Sequence, residues 1–298
     1  MAVEKAGSMP VDAVRFTFTR AGDRLAGTLY VPSAPPTAVV VTTGPLTSVK
    51  EQATGAYAAA LARRGFAALA FDHRTFGESE GTPRQLEDPL GKVADIGAAV
   101  SALHSDQRLG GLPVVAVGIC AGAGYMARAV ADDPRIRAFA GVAGVYPGAA
   151  APDPAVTERG RAARQRRLDT AVVETIPAVA ADGGDVAMPL REAFEYYGTA
   201  RGAVPNYANA FALESYEQPG VDAQAAAKRL AVPFLLVHSA HALAPALARE
   251  FYSAVASEKT QLWLESAGQI DFYDDPGLIE PAADAAAELF SRAAQSNL

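Results

Sequence analysis

Six short apolar runs recur along the chain, separated by stretches long enough to hold a helix. Polar residues do not alternate regularly along these runs, which is typical of strands covered on both faces of a parallel sheet. The runs occupy residues 38–42, 67–71, 114–117, 139–142, 234–237 and 261–264. Ahead of them, residues 15–19 and 25–30 flank the turn Ala21-Gly22-Asp23 and predict an antiparallel hairpin at one edge of the sheet.

Between the runs, apolar residues recur at helical spacing. Three such stripes are Val93, Ile96, Val100 and Leu103; Tyr57 and Leu61; and Ile279, Ala282, Ala286 and Phe290. Strands that alternate with helices predict an α/β fold. We expect a doubly wound, mostly parallel sheet with antiparallel N-terminal strands.

The alternation stops between about residues 146 and 229, where no convincing buried strand is found. This stretch contains an Arg-rich helical piece at 159–167, a break at Gly183-Gly184 and then an aromatic segment. We therefore predict a single domain over residues 1–298. Its core comprises 11–145 and 230–298, and a helical cap of about 146–229 is inserted over the carboxyl ends of the strands. A lid of this kind would exclude water and shape a pocket.

Tyrosines of this stretch are candidate substrate contacts: Tyr146, Tyr196, Tyr197 and Tyr207. The alternative is that they build a small core within the cap, because aromatic stripes serve packing more often than recognition. The sequence leaves both interpretations open.

Composition narrows the classes of partner. The 298 residues are 50% hydrophobic and carry a net charge of −7, with no Lys/Arg cluster interleaved with aromatic residues, which argues against a nucleic-acid partner. No apolar run is long enough to cross a bilayer, and residues 1–10, with Glu4 and Lys5, lack the apolar core of a signal peptide. We expect a cytoplasmic protein that acts on a small molecule and not at a membrane. A homodimer is compatible with the sequence.

The pentapeptide Gly118-Ile119-Cys120-Ala121-Gly122 directly follows the third apolar run and opens a helical segment. Its glycines leave room for a strained strand-to-helix turn that lifts the middle side chain into a pocket. The helix N-terminus beside the thiol favours the thiolate. Cys120 is the single cysteine, so it has no disulfide partner within the chain. We predict a nucleophile here; the alternative is a small buried thiol in a packing turn.

Four segments together resemble the α/β-hydrolase superfamily. They are Phe71-Asp72-His73-Arg74-Thr75-Phe76-Gly77-Glu78-Ser79-Glu80-Gly81, the turn at Cys120, Val237-His238-Ser239 and Gly268-Gln269-Ile270-Asp271-Phe272-Tyr273-Asp274. Within the superfamily the chain is similar to the bacterial branch related to dienelactone hydrolases and X-prolyl peptidase-like hydrolases, and a dienelactone hydrolase likewise has Cys in this turn. The resemblance implies a nucleophile after the fifth strand, an acid after the seventh, a histidine after the eighth, and chemistry on an acyl carbon.

The resemblance also implies an oxyanion hole. One donor would be the backbone N–H of Ala121, the residue after the nucleophile, and the other would come from the loop after the strand at 38–42. Since Pro45 has no N–H, we predict Leu46 as the second donor, with Gly44 allowing the backbone to come close. Glu51, further along, is interpreted either as complementing a helix dipole or as reaching the thiol, as a glutamate does in dienelactone hydrolases.

The expected partners of Cys120 are missing from their usual places. The histidine position holds Gln269, whose amide cannot exchange a proton near neutral pH, and no histidine follows His241. The acid position, in residues 237–245, contains no carboxylate. A complete triad is therefore absent as a sequence pattern.

Three explanations remain open. His241 could form a Cys-His dyad, because such sites are recognised by geometry rather than by position along the chain. Asp271 or Asp274 could replace the base if its pKa were raised. Otherwise the pocket, with Cys120 and Gln269, serves a non-hydrolytic reaction such as cyclisation, acyl transfer or elimination.

The remaining candidates are less specific. His73 and Ile119 are candidate substrate contacts at the rim of the pocket, although the run Asp72-His73-Arg74 also suits a loop anchor. His238 is expected near the core and His104 on a helix surface. His238 and His241 lack a nearby carboxylate, so we expect no metal, and the missing GxGxxG spacing argues against a dinucleotide cofactor.

The leading functional hypothesis is hydrolysis or acyl transfer at an ester, thioester or lactone of a small to medium organic substrate. A non-hydrolytic cyclase or lyase of specialised metabolism is the second. A ligand-binding protein without catalysis is the third.

Overall fold

A computed structural model describes residues 9–149 and 153–295. The predicted charged start of the chain, with Glu4 and Lys5, lies outside the described residues. Residues 150–152 of the predicted cap also lie outside them.

Eight strands form the central sheet, in the order β1-β2-β4-β3-β5-β6-β9-β10. They are β1 (Val11–Arg20), β2 (Asp23–Pro32), β3 (Val39–Thr43), β4 (Ala67–Phe71), β5 (Val114–Ile119), β6 (Ile136–Val142), β9 (Phe234–His238) and β10 (Lys259–Trp263). The first two strands pair antiparallel with each other, and β2 pairs antiparallel with β4. All the other pairs are parallel. The predicted α/β fold with an antiparallel start is confirmed.

The described residues form nine α-helices, and those that enter two apolar clusters cover both faces of this sheet. The helices are α1 (Ala53–Ala62), α2 (Pro89–Ser105), α3 (Ala121–Asp132), α4 (Pro154–Thr170), α5 (Arg191–Tyr197), α6 (Ala223–Ala227), α7 (Pro245–Ala254), α8 (Asp271–Asp274) and α9 (Pro276–Gln295). None of the helices in residues 9–149 and 153–295 combines the length and apolarity needed to span a bilayer.

Alternate residues of the buried strands enter two separate apolar clusters. On β3, Val40 joins a cluster with α1 and α9, whereas Val39 and Val41 join a cluster with α2, α3 and α7. This alternation follows from the two-residue period of a strand, and it explains why the runs are apolar throughout. Cys120 belongs to the cluster on the α1 and α9 face.

The chain between β6 and β9 holds α4, α5, α6, a 3-10 helix (Leu213–Glu217) and two short strands, β7 (Thr175–Ile176) and β8 (Phe211–Ala212). The strands β7 and β8 pair antiparallel, apart from the main sheet. We expected no buried strand here, and two residues per strand are too few to leave a periodic pattern. The boundaries of a cap remain a prediction.

Candidate active site

Cys120 is held in a strained turn between β5 and α3. Its backbone has φ 54° and ψ −124°, in the positive-φ region that side chains other than glycine rarely adopt. Backbone hydrogen bonds fix this conformation: Cys120 N–H donates to Val142 at 3.1 Å, and its carbonyl accepts from Ala123 and Val145 at 3.0 and 2.9 Å. The turn therefore projects the thiol from the end of the fifth strand.

The thiol is buried, since Cys120 is 7% exposed. Burial raises the pKa of the Cys120 thiol above its ordinary value. Hydrogen bonds from Tyr273, the Ala121 backbone, Gln269 and the Leu46 backbone act in the opposite direction. Because burial outweighs these hydrogen bonds, the thiol is protonated at neutral pH.

Both predicted oxyanion donors lie beside the thiol, where the backbone N–H groups of Ala121 and Leu46 act to lower the pKa of Cys120. Leu46 reaches this position through a close approach of the loop after β3. A Cβ added to Gly44 would lie 2.2 Å from Thr54 Oγ1 and 2.7 Å from Ser48 Oγ, so a larger residue would force these side chains to shift. Whether these N–H groups stabilise an oxyanion remains a prediction.

Gln269 is buried beside the sulfur, and its amide is fixed by backbone groups. Its Oε1 accepts from Leu243 N–H at 2.9 Å, and its Nε2 donates to the Ala143 carbonyl at 2.8 Å. The side chain can therefore orient or donate at the thiol. It cannot act as a general base.

Tyr273 is a neighbour of the thiol that the sequence analysis did not select. It lies on α8, four residues after Gln269. Its hydroxyl interacts with the Cys120 thiol, whose pKa it lowers, and lies 3.5 Å from Gln269 Nε2. Burial raises the pKa of Tyr273 well above its ordinary value, so the phenol is protonated. The four-residue spacing from Gln269 was the available signal, since one helical turn places such residues side by side.

Among the described residues, neither the His241 side chain nor the Glu51 carboxylate forms a hydrogen bond with the thiol. His241 is exposed, and its backbone N–H donates to Ser239 Oγ at 3.1 Å. Glu51 Oε1 accepts from Lys50 Nζ at 2.6 Å and from Asn206 Nδ2 at 2.7 Å. The two carboxylates proposed as alternative bases, Asp271 and Asp274, both pair with Arg201.

Three of the selected tyrosines lie on the same apolar cluster as Cys120 and Ile119. Tyr197 stacks on Tyr207 with ring centroids 5.1 Å apart, and Tyr196 packs edge-on against Tyr273 at 5.5 Å. The buried Tyr197 hydroxyl has no hydrogen-bond partner among the described residues. These rings form an aromatic cover beside the thiol.

Tyr146 lies elsewhere. It is fully buried in the cluster on the other face of the sheet, where its ring stacks on Phe251 with centroids 4.0 Å apart. The structure therefore does not bring it together with the other three tyrosines. Its position shows that an aromatic residue just beyond a strand can turn to either face.

The other histidines are bound in place or exposed. His73 is buried between Thr43 Oγ1, 2.7 Å from its Nε2, and Asp95 Oδ2, 3.1 Å from its Nδ1. His238 is fully buried with its ring nitrogens facing backbone carbonyls, and His104 is exposed, as expected. His73 thus braces the end of β3, directly before the loop that carries Leu46.

Comparisons with known proteins agree with this architecture. The profile of the family described as Serine aminopeptidase, S33, matches residues 34–267. The uncharacterized protein YcjY of Escherichia coli (strain K12) is 32% identical over 269 residues, which cover 84% of this chain and 87% of YcjY. The crystal structure of the hypothetical protein PA2218 from Pseudomonas aeruginosa has a TM-score of 0.80 at 26% identity, over 98% of both chains.

A dienelactone hydrolase from Anabaena variabilis is also similar, with a TM-score of 0.60 and 14% identity over 95% of this chain and 98% of that one. At this identity the likeness concerns the fold, and the narrower branch suggested by the sequence remains a prediction. The S33 profile covers most of the chain, and the sheet has the predicted parallel core with an antiparallel start. The chain therefore belongs to the serine aminopeptidase S33 family of α/β-hydrolases.

Proposed function

We propose that this protein is an acyl-transferring enzyme in which Cys120 is the nucleophile. Its substrate is an ester, thioester or lactone of a small to medium organic molecule. The observation that carries the proposal is the convergence of two backbone N–H groups, from Leu46 and Ala121, on a thiol held in a strained turn.

The chemistry follows from this convergence. When Cys120 Sγ attacks an acyl carbon, the carbonyl oxygen takes on negative charge next to the sulfur. Backbone N–H groups fixed at that point stabilise the charge without reorganising, and losing one such donor typically costs about 3 kcal/mol of transition-state stabilisation. Expulsion of the leaving group then gives a thioester on Cys120, which water or an alcohol resolves.

The aromatic cover supports a flat or unsaturated acyl group. Tyr197 and Tyr207 present stacked rings next to the thiol, and such faces favour other π systems and apolar chains. The unpartnered Tyr197 hydroxyl would satisfy its hydrogen bond with a polar atom of the substrate.

Trapping the acyl-enzyme tests the proposal. The protein is incubated with p-nitrophenyl esters of short and aromatic acids, and intact-mass spectrometry followed by peptide mapping locates any adduct. We expect one acyl group on Cys120 of the wild type and none at this peptide in Cys120→Ala. Absence of an adduct on the wild type, or an equal adduct on Cys120→Ala, would contradict covalent catalysis.

A second candidate function is a non-hydrolytic cyclase or lyase that uses the same pocket. It is favoured by the lack of charge at the sulfur: the thiol, the Tyr273 phenol and the Gln269 amide are all neutral at pH 7. Retention of the native turnover in Cys120→Ala would favour this candidate over the acyl-enzyme.

A further inference from the structure

The thiol proton of Cys120 must leave during acyl transfer, and the groups around the sulfur limit where it can go. Backbone N–H groups of Leu46 and Ala121 can only donate. The Gln269 amide offers no free acceptor, because its Oε1 is occupied by Leu243 N–H at 2.9 Å and its Nε2 can only donate. Of these four hydrogen-bond partners, the Tyr273 hydroxyl alone can both accept and donate a proton.

Tyr273 is also held firmly. It is 3% exposed, its ring packs edge-on against Tyr196 and Tyr197, and its centroid lies 6.4 Å from that of Tyr197. Gln269, anchored on the Ala143 carbonyl at 2.8 Å, lies 3.5 Å from the phenol oxygen. In the resting site this hydroxyl donates toward the sulfur, and when it turns its hydrogen toward a group bound beside the sulfur, a lone pair comes to face the thiol.

We infer that Tyr273 is a catalytic residue that relays the proton of Cys120 to the leaving group of the substrate, in place of the missing histidine. The inference rests on the proposed acyl-enzyme and specifies its chemistry. The substrate class it favours has a leaving group that needs a proton, such as an alkyl ester, an alkyl thioester or a lactone.

The step balances without a charged base. The bond from Cys120 Sγ to the acyl carbon forms and the bond from that carbon to the leaving oxygen or sulfur breaks. The thiol proton passes to the Tyr273 oxygen while the phenolic proton passes to the leaving atom. In the second half, water or an alcohol attacks the thioester, gives its proton to the Tyr273 oxygen, and the phenolic proton returns to Sγ.

Leaving-group dependence separates this relay from a structural role. A p-nitrophenolate leaves without being protonated, whereas an ethoxide must receive a proton. In Tyr273→Phe we expect single-turnover acylation of Cys120 by an ethyl ester to fall about 100-fold or more, in the range typical of lost acid–base catalysis. Acylation by the p-nitrophenyl ester of the same acid should fall by a much smaller factor, because its leaving group needs no proton and only the thiol proton still has to be accepted.

Tyr57→Phe is the matched control. Tyr57 lies on α1, is fully buried, and its hydroxyl has no partner among the described residues. This variant removes the same atom from the same apolar cluster, and both acylation rates should stay at the wild-type level. Equal slowing of both esters in Tyr273→Phe, or no slowing of either, would overturn the relay.

A measurement on the unaltered protein provides a second criterion. Ethyl ester acylation is followed in mixtures of H2O and D2O. A curved dependence of the rate on deuterium content supports two protons in flight, and a linear dependence overturns the relay. If no ester acylates the wild type, the acyl-enzyme itself fails and the relay with it, whereas acylation without leaving-group selectivity removes only the relay.

Discussion

At the scale of single residues, neutral polar groups surround the reactive atom. Tyr273 and Gln269 both bond the Cys120 sulfur, and neither carries a charge at pH 7. Such a site does not stabilise a free thiolate strongly, because the burial of Cys120 outweighs the donated hydrogen bonds. Proton transfer coupled to bond formation suits it better than a preformed thiolate.

The burial of His73 leads to a prediction about how folding stability depends on pH. Burial is the main reason that its pKa lies below the ordinary value of 6.5, and its hydrogen bond with Asp95 opposes this effect. Lys92 and Glu87 also act on the ring, in opposite directions. Below about pH 6.5 the unfolded chain therefore binds a proton that the folded chain does not, and stability falls as pH is lowered.

We expect His73→Gln to remove this contribution. The loss of unfolding free energy between about pH 7.5 and 5.5 should shrink by about 1 kcal/mol relative to the wild type, measured by urea denaturation at both pH values. His104→Gln, at an exposed helix position, should leave the pH dependence unchanged. An unchanged pH dependence in His73→Gln would show that the ring is protonated in the folded state.

At the scale of elements, the site depends on how closely α3 approaches the end of β3. Thr43 pairs with Gly118 across the sheet, which sets the loop containing Leu46 next to Cys120. A Cβ on Gly122, in the first turn of α3, would lie 2.5 Å from the Gly44 carbonyl oxygen and 2.7 Å from that of Thr43. The absence of a side chain at Gly122 is therefore what lets the helix and the loop meet.

Two alanine substitutions test this contact. Gly122→Ala should lower the free energy of unfolding by about 1–3 kcal/mol, since the backbone must shift, and should slow acylation of Cys120. Gly97→Ala, in α2, places its Cβ where no atom beyond the adjoining backbone of the helix lies within 4 Å, and should be neutral or stabilising by up to about 1 kcal/mol. Chemical denaturation measures both, and similar values for the two variants would contradict the close approach.

The strands and the turn that carry the site could be predicted because each leaves a local pattern in the sequence. Continuous apolar runs mark strands with two buried faces, and the glycines around Cys120 mark a tight turn. The positions of the side chains around the thiol could not be predicted from the sequence to the same extent. His241 and Gln269 are both on loops beyond strands, and only packing decides that Gln269 turns inward onto Leu243 and Ala143 while His241 turns to solvent.

At the scale of the whole molecule, one buried cation joins distant parts of the chain. Lys50 Nζ lies 2.6 Å from Glu51, 3.0 Å from Asp72 and 2.6 Å from Glu78. Glu51 in turn bonds Asn206, in the segment between β6 and β9. Burial opposes the charge on Lys50, but the three carboxylates dominate and raise its pKa.

Lys50→Met should therefore be strongly destabilising. It leaves Asp72 buried without its cation, and removing one partner of a buried pair typically costs about 3–5 kcal/mol. Lys228→Met, at an exposed position, should change the free energy of unfolding by less than about 0.5 kcal/mol. Urea denaturation of both variants gives the comparison, and a loss below about 1 kcal/mol for Lys50→Met would show that water or protonation replaces the cation.

The four-residue helix α8 has a mechanical consequence. Arg201, in the segment between β6 and β9, forms ion pairs with Asp271 and Asp274, while Tyr273 on the same turn lies beside the thiol. Because Asp271, Tyr273 and Asp274 share a single helical turn, ion pairs that fix the two carboxylates also restrict the position of the phenol.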